Sequence, residues 1–300
     1  MDLAEQLKSS VSCTVRLNEL MSGHTSFKIG GPADILVLPE SIEQLREVLK
    51  VVKETVVPLT LLGNGSNVLV RDKGIRGIVI KLGNMLRHFY EAEDLLVFGS
   101  GYSLALASYK AMECGKTGME FAVGIPGSIG GAVYMNAGAY DGEMQNIVNC
   151  VKVMDLQGNE RVLTAEELNF GYRKTSLQNS GLIVTEVTLK MPSGNKDEIK
   201  SKMDDFSHRR ISKQPLEMPS AGSMFKRPPG YFAGTLIDQA GLKGYTVGGA
   251  QISTKHAGFV VNVGGATAAD VLQLIKDVQT KIKAGVGVEL QPEVLVIGEE

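Results

Sequence analysis

Pro126–Ala132, with the sequence PGSIGGA, lies between the apolar stretches Phe121–Ile125 and Val133–Ala139 and leaves almost no side chain on one face. Pro126, Gly127, Ser128, Gly130, Gly131 and Ala132 are the residue types found where backbone lies against a pyrophosphate or a flat ring, because a larger side chain would hold the ligand away. The competing reading of such a run is a tight packing corner between sheets. The small, polar character continues through Asn136–Tyr140, NAGAY, with Asn136 and Gly138. A second glycine loop, Gly63–Asn67 (GNGSN), directly follows the apolar run Val57–Leu62. Gly63 and Gly65, on either side of Asn64, permit positive φ. Successive N–H groups then converge on one anion, and Ser66 and Asn67 add side-chain donors. Asn and Gly also make ordinary turns, so this loop alone leaves turn and anion site open. Together the loops read as two backbone surfaces facing one extended ligand.

Two better-known nucleotide motifs are excluded. Gly115-Lys116-Thr117 looks like the end of a Walker A loop, but the glycine required five residues earlier is Lys110. The GxGxxG dinucleotide fingerprint fails because the GxG at Gly63–Gly65 runs on to Val68. A dinucleotide held by these loops is held in some other manner.

Around the loops the chain changes character twice. Asp34–Pro39 reads as a strand and Ser41–Glu54 as a helix. Ser41 is its N-cap, Gln44 stands three residues on, and Ile42, Leu45, Val48, Leu49 and Val52 recur at helical spacing. Val57–Leu62 and Ile75–Leu82 are strands by their β-branched and leucine content, which makes a βαβ unit with a parallel pair. From about Lys81 short strands predominate (Leu95–Gly99, Val151–Leu156, Arg161–Leu163, Ile183–Met191). One helix, Ser103–Gly115, interrupts them, and the sheet is expected to be antiparallel or mixed. After Met191–Asn195 come a polar helix, Lys196–Arg210, with Ile199, Met203 and Phe206 on one face, and the helix Thr267–Ala284. The latter has Thr267 as N-cap, Asp270 at N3, and Val271, Leu274, Ile275, Val278 and Ile282 on its buried side.

Composition fits a globular protein, with 43% hydrophobic and 21% charged residues. A net charge of −2 gives no sign of a nucleic-acid or polybasic membrane partner. No apolar run approaches the roughly 18 residues a spanning helix needs, and MDLAEQLKSS has no secretory-signal pattern. A soluble, cytoplasmic protein is expected. Cys13, Cys114 and Cys150 are far apart and read as reduced thiols; no cysteine or histidine spacing suggests a metal. The four histidines read as structural or surface residues, with His256 a candidate to line a pocket.

Three residues stand out for chemistry. Arg173, in Gly171–Ser176 (GYRKTS), offers a planar fork for a carboxylate or phosphate, although such a charge is usually solvated. Ser223, in Ala221–Pro229 (AGSMFKRPP), is no nucleophile elbow; it is a proton donor or a turn serine. Glu293, in Glu289–Val296 (ELQPEVLV), is a carboxylate at the edge of an apolar strand, either solvated or held in a site.

GNGSNVLV, EFAVGIPGSIGGAVYMNAGAY, GYRKTS, AGSMFKRP, GTLIDQAGLKG and ELQPEV, in this order over residues 24 to 298, resemble the UDP-N-acetylenolpyruvoylglucosamine reductase family. The resemblance implies an α+β (mixed α/β) fold of the vanillyl-alcohol-oxidase, or PCMH, type. It would have two FAD-binding subdomains, residues 1–80 and 81–195, and a substrate domain, 196–300, whose last strand is a candidate to return to the first subdomain. It implies an oxidoreductase of peptidoglycan precursor synthesis, serving cell-wall biogenesis, cell shape and division. NADPH reduces FAD, and hydride then passes to the outer carbon of the enolpyruvyl double bond. Arg173 and Glu293 would stabilise the developing charge and Ser223 would donate the proton. FAD contacts fall on the two glycine loops and on Asn136 and Gly138 beyond PGSIGGA, and Arg210, Lys213, Lys226 and Lys243 are the candidate substrate contacts. The implied partners are a UDP-sugar and NADPH, with no nucleic acid, membrane or obligate protein partner. Residues 174–222 contain no tyrosine, so the chain resembles the subclass that lacks a substrate-covering tyrosine loop.

Two other readings predict different behaviour. An FAD-dependent oxidase of the same superfamily, acting on an alcohol or sugar, reduces its flavin with substrate alone. A non-catalytic nucleotide-sugar binding module is colourless.

Overall fold

The structure is a computed structural model that describes residues 3–55, 57–83 and 85–300. Met1 and Asp2, part of the stretch read as lacking a signal, lie outside the described residues. In chain order, α1 (Leu3–Ser10), β1 (Thr14–Leu20) and β2 (Pro32–Leu38) lead to α2 (Ile42–Lys53), β3 (Leu59–Leu62), β4 (Val68–Val70) and β5 (Ile75–Lys81). Ser41 caps α2 as expected, its side chain accepting the Gln44 N–H, while Gln44 reaches back to the Glu40 N–H at 2.8 Å. A sheet of order β1-β2-β5-β3 forms, with β3 and β5 parallel. The parallel pair expected of the strand–helix–strand unit, β2 with β3, does not form directly: β5 lies between the two strands that α2 connects, and β3 is parallel to β5 instead.

The middle region holds β6 (Phe89–Ala92), β7 (Leu95–Gly99), α3 (Leu104–Glu113), α4 (Ile129–Tyr134), the short pair β8 (Gly138–Ala139) and β9 (Gly142–Glu143), β10 (Val148–Met154), β11 (Glu160–Thr164) and β12 (Ile183–Lys190). Its five-stranded sheet, β11-β10-β12-β7-β6, is antiparallel throughout. The last region holds α5 (Lys196–Lys213), β13 (Ser220–Ser223), α6 (Ala233–Gln239), β14 (Thr246–Val247), β15 (Ala250–Ile252), β16 (Phe259–Asn262), α7 (Ala268–Val286) and β17 (Leu295–Ile297). Thr267 and Asp270 form a full capping box on α7, and Gly287 ends it in the left-handed conformation at φ +71°. No helix among the described residues is long and apolar enough to cross a membrane.

The chain forms two compact units. The first comprises residues 1–17, 35–64 and 78–209, the second 18–34, 65–77 and 210–300. In the first, α2 buries Leu45, Val48, Leu49 and Val52 against Ile35, Val37, Ile78 and Ile80. Each such side chain contributes roughly 2 kcal/mol on burial. A second layer packs Leu104, Ala107, Ala111, Ile129 and Val133 of α3 and α4 on Phe98, Val151, Val153, Val187 and Leu189 of the antiparallel sheet. Ile199, Met203 and Phe206 of α5 pack with Val123 in this unit. In the second unit α7 buries Val271, Leu274, Ile275, Val278 and Ile282, the side chains its periodicity marks, with Ile252, Val260, Leu236 and Ile237. There β17 pairs in parallel with β4, so the last strand returns to one from the first third of the chain.

Candidate functional site

PGSIGGA does not remain a loop: Gly127, at φ +134°, turns the chain, and Ser128 caps α4 by accepting the Gly131 N–H at 3.3 Å. The helix is not apparent from its residues because Gly130 and Gly131 are poor helix formers. Tertiary contacts override that preference. The Ile129 N–H donates to the Tyr102 carbonyl and the Gly130 N–H to the Ser100 carbonyl, both at 2.9 Å, while the Leu104 N–H donates to the Gly127 carbonyl. A Cβ on Gly130 would stand 2.8 Å from Ser100 Cβ, so that glycine is required for packing. The first N–H groups of α4 are thus engaged internally. The segment presents a surface nearly free of side chains, with Pro126 and Gly131 exposed.

The same unit brings the other loop to it. A Cβ on Gly63 would lie 3.4 Å from Ser128 Oγ, so the first half of GNGSN and PGSIGGA adjoin. Asn64 is exposed beside them. Gly65, Ser66 and Asn67 belong to the second unit. There Gly65, at φ +68°, lies so close to the His24 carbonyl that a Cβ would collide with it.

Arg173 lies in the first unit on a turn closed by Gly171 N–H to Lys174 O (2.9 Å) and Lys174 N–H to Gly171 O (3.1 Å). Its own φ is +56°, left-handed for a residue with a Cβ. The guanidinium donates to the carbonyls of Asn136 (3.3 Å) and Gly138 (3.1 Å) and stands 5.1 Å from the centre of the Tyr172 ring. Asn136, named above as a cofactor residue, is fully buried, and its side chain bonds inside the protein. Nδ2 donates to the Gly171 carbonyl and Glu143 Oε2, and Oδ1 accepts the Gln145 N–H. Gln178, which sequence reasoning missed, donates to the carbonyls of Arg173 and Tyr134, both at 3.1 Å. Its only signal in the sequence is a carboxamide five residues after the arginine.

Ser223 and Glu293 share the second unit. β13 runs antiparallel to β16 with Ser223 opposite Phe259, and the chain then pairs with the segment before β17. The Met224 carbonyl accepts the Glu293 N–H and the Gln291 carbonyl accepts the Lys226 N–H, each at 2.8 Å. Asn67 Nδ2 donates to the Glu293 carbonyl at 3.4 Å, and its own carbonyl accepts the Leu295 N–H. Backbone ladders therefore bring Ser223, Lys226, Glu293 and Asn67 together, with Ser223 exposed and Glu293 half-buried.

Of the other candidate cations in that unit, Arg210 is buried and donates to Gln214. Lys243 pairs with Asp238 at 2.7 Å. Lys213 and Lys243 both bear on His256. Burial pushes its imidazole below the ordinary value, a backbone hydrogen bond opposes that, and the two lysines lower it further. His256 Nδ1 accepts the Gly258 N–H at 3.1 Å, which leaves the ring proton on Nε2. Among the described residues no group of His, Cys, Asp and Glu of metal-binding size occurs, and the three cysteines are free thiols.

Comparison with known proteins places this geometry in a family. An FAD binding domain profile matches residues 33–164, and the profile of the UDP-N-acetylenolpyruvoylglucosamine reductase C-terminal domain matches residues 214–297. The chain is 49% identical over 286 residues to the UDP-N-acetylenolpyruvoylglucosamine reductase of Clostridioides difficile (strain 630), covering 95% of this chain and 94% of that protein. It is 51% identical to the corresponding reductase of Clostridium perfringens (strain SM101 / Type A), with the same coverage. The crystal structure of the Thermus caldophilus reductase superposes with a TM-score of 0.79 at 38% identity, covering 95% of this chain and 98% of that one. With two family profiles and relatives of this identity along nearly its whole length, the chain belongs to the UDP-N-acetylenolpyruvoylglucosamine reductase family.

Proposed function

We propose that this chain reduces the enolpyruvyl group of UDP-N-acetylglucosamine enolpyruvate to give UDP-N-acetylmuramate, with FAD as bound cofactor and NADPH as reductant. The residues present fit FAD: Gly63, Ser128 and the exposed Gly131 form a surface on which no side chain would hold a ring or pyrophosphate away. Residues 1–195 are assigned to the flavin and 196–300 to the substrate. When bound, FAD supplies hydride transfer from NADPH to the outer carbon of the enolpyruvyl double bond.

The protein's own residues do the rest. Hydride addition leaves negative charge on the carboxylate side, which Arg173 stabilises through a guanidinium held by the Asn136 and Gly138 carbonyls. Glu293 shares that task. Ser223 gives its hydroxyl proton to the adjacent carbon. The diphosphate and carboxylate of the substrate fall to Arg210, Lys213, Lys226 and Lys243. The observation that carries the reading is the 2.8 Å hydrogen bond from the Glu293 N–H to the Met224 carbonyl, which sets the proposed proton donor and the carboxylate on adjoining segments. The enzyme is read as cytoplasmic, with its UDP-sugar and NADPH as its only required partners.

The test is steady-state turnover of NADPH and the UDP-enolpyruvyl sugar by wild type and Ser223→Ala. Flavin reduction by NADPH is expected to survive in the variant while product formation falls by about 10²–10⁴-fold, the usual contribution of a positioned acid. Product formation at the wild-type rate would remove Ser223 from the mechanism.

A further inference from the structure

Arg173 has two contacts with one segment of the chain, and they act on different parts of the residue. Its guanidinium is held by the carbonyls of Asn136 and Gly138. The turn that carries it is held by two carboxamides: Asn136 Nδ2 donates to the Gly171 carbonyl at 3.0 Å, and Gln178 Nε2 donates to the Arg173 carbonyl at 3.1 Å and to Tyr134 O. The Thr175 hydroxyl adds a bond to Tyr134 O at 2.9 Å. A non-glycine residue at φ +56° is strained and persists only where its surroundings determine it. Here the surroundings do. The Gly171 carbonyl accepts both the Lys174 N–H and Asn136 Nδ2, so both its lone pairs are used. Asn136 is pinned in turn by Glu143 Oε2 at 3.1 Å and the Gln145 N–H at 3.0 Å, and its own φ is +43°.

We propose that Asn136 and Gln178 are positioning residues for Arg173, holding its turn in the left-handed conformation so that the guanidinium keeps one orientation. The proposal rests on the reductase reading above, in which Arg173 acts on the substrate. Loss of either amide releases one end of the turn, the backbone relaxes toward negative φ, and the guanidinium leaves its place. The step that Arg173 serves then slows, while flavin binding and flavin reduction do not change. Asn136 belongs by this account to the arginine and not to the cofactor.

The test separates the half-reactions in rapid-mixing experiments without oxygen, on Asn136→Asp and Gln178→Met, each alone and with Arg173→Ala. Both single variants are expected to keep their FAD and to be reduced by NADPH within about twofold of the wild-type rate. Reoxidation of their reduced flavin by the UDP-enolpyruvyl sugar should slow on the order of 10- to 100-fold, the effect of misplacing a catalytic group by about 1 Å. In the Arg173→Ala background the same substitutions should change that rate by less than about twofold, because they act through the group already removed. Additive losses in that background overturn the proposal. So does a loss of FAD or of NADPH-driven reduction as large as the loss in reoxidation. If the buried Asn136→Asp does not fold, Gln178→Met, at a partly exposed side chain, decides by the same criteria. Wild type that is reduced by NADPH but never reoxidised by the enolpyruvyl sugar sinks the reductase reading itself, and the proposal with it.

Discussion

Gly130 and Gly131 are neighbours with opposite tasks. The first lies with its missing Cβ against Ser100; the second is exposed, and a Cβ there meets only Ser128 Oγ, at 3.3 Å. Gly131→Val should therefore fold with a thermal midpoint close to that of wild type stripped of FAD, and emerge with little FAD. Gly130→Val should lose stability by an overpacking cost of about 1–3 kcal/mol. Flavin absorbance per protein and a melting curve check both, and full FAD occupancy in Gly131→Val contradicts the assignment of the loop to the cofactor. Glu120, only 3% exposed, makes a second residue-scale prediction. Burial pushes its carboxyl up, but hydrogen bonds from Thr117 and from the backbone N–H groups of Glu120 and Gly118, with Lys202 nearby, outweigh burial and hold it below the ordinary value. A depressed carboxyl contributes stability that is present above the unfolded-state pKa of about 4.3 and is lost as pH falls through the folded value. Glu120→Gln should cost about 2 kcal/mol at pH 7, and the gap from wild type should close as urea titrations are repeated toward acid pH. A gap that is unchanged below pH 4 would contradict it. At this scale Arg173, Ser223 and Glu293 were readable as candidates, by residue type and by the motifs around them. Gln178 was not, because its partner, the Tyr134 carbonyl, lies far back along the chain.

At the scale of elements, local capping made the helices readable. Ser41, Ser103 and Thr267 all cap as their positions suggest, since a cap and its N–H partner lie within three residues of each other. The α4 helix was not readable, because what stabilises Ile129–Tyr134 is Ser100 and Tyr102 across the fold. The β2–α2–β3 unit was found, but the insertion of β5 between its strands is a nonlocal choice that neither strand announces. The start of α7 offers a quantitative check. The Thr267 side chain accepts one N–H, whereas the Asp72 carboxylate accepts two, from Ala268 at 2.7 Å and Ala269 at 2.9 Å. Thr267→Ala should cost about 1 kcal/mol and Asp72→Ala more, since charge-assisted bonds are roughly twice as strong. Urea midpoints that rank them in the reverse order would show that the carboxylate does not cap the helix.

For the whole molecule, hydrophobic periodicity gave the buried sides of α2 and α7 and an α+β chain, and the family motifs gave the type of flavin fold. The way the chain divides was less visible. It passes between its two units within β1, β2, β5 and α5 and at the Asn64–Gly65 peptide. Four of these places lie inside a strand or helix and the fifth inside the glycine loop GNGSN, read above as a ligand surface and not as a linker, and Ile199, Met203 and Phe206 look like any apolar helix face until Val123 is found against them. Gly63, Ser128 and Arg173 lie in one unit, and Ser223 and Glu293 in the other. On the proposed function, electrons from NADPH leave this protein through the enolpyruvyl double bond. The most direct measurement is an anaerobic titration: the yellow protein is bleached with one equivalent of NADPH, then mixed with the UDP-enolpyruvyl sugar, with flavin absorbance followed and product weighed by mass spectrometry. The account predicts that the colour returns in step with one equivalent of UDP-N-acetylmuramate. A bleached flavin that the enolpyruvyl sugar leaves bleached, with no product formed, would contradict it.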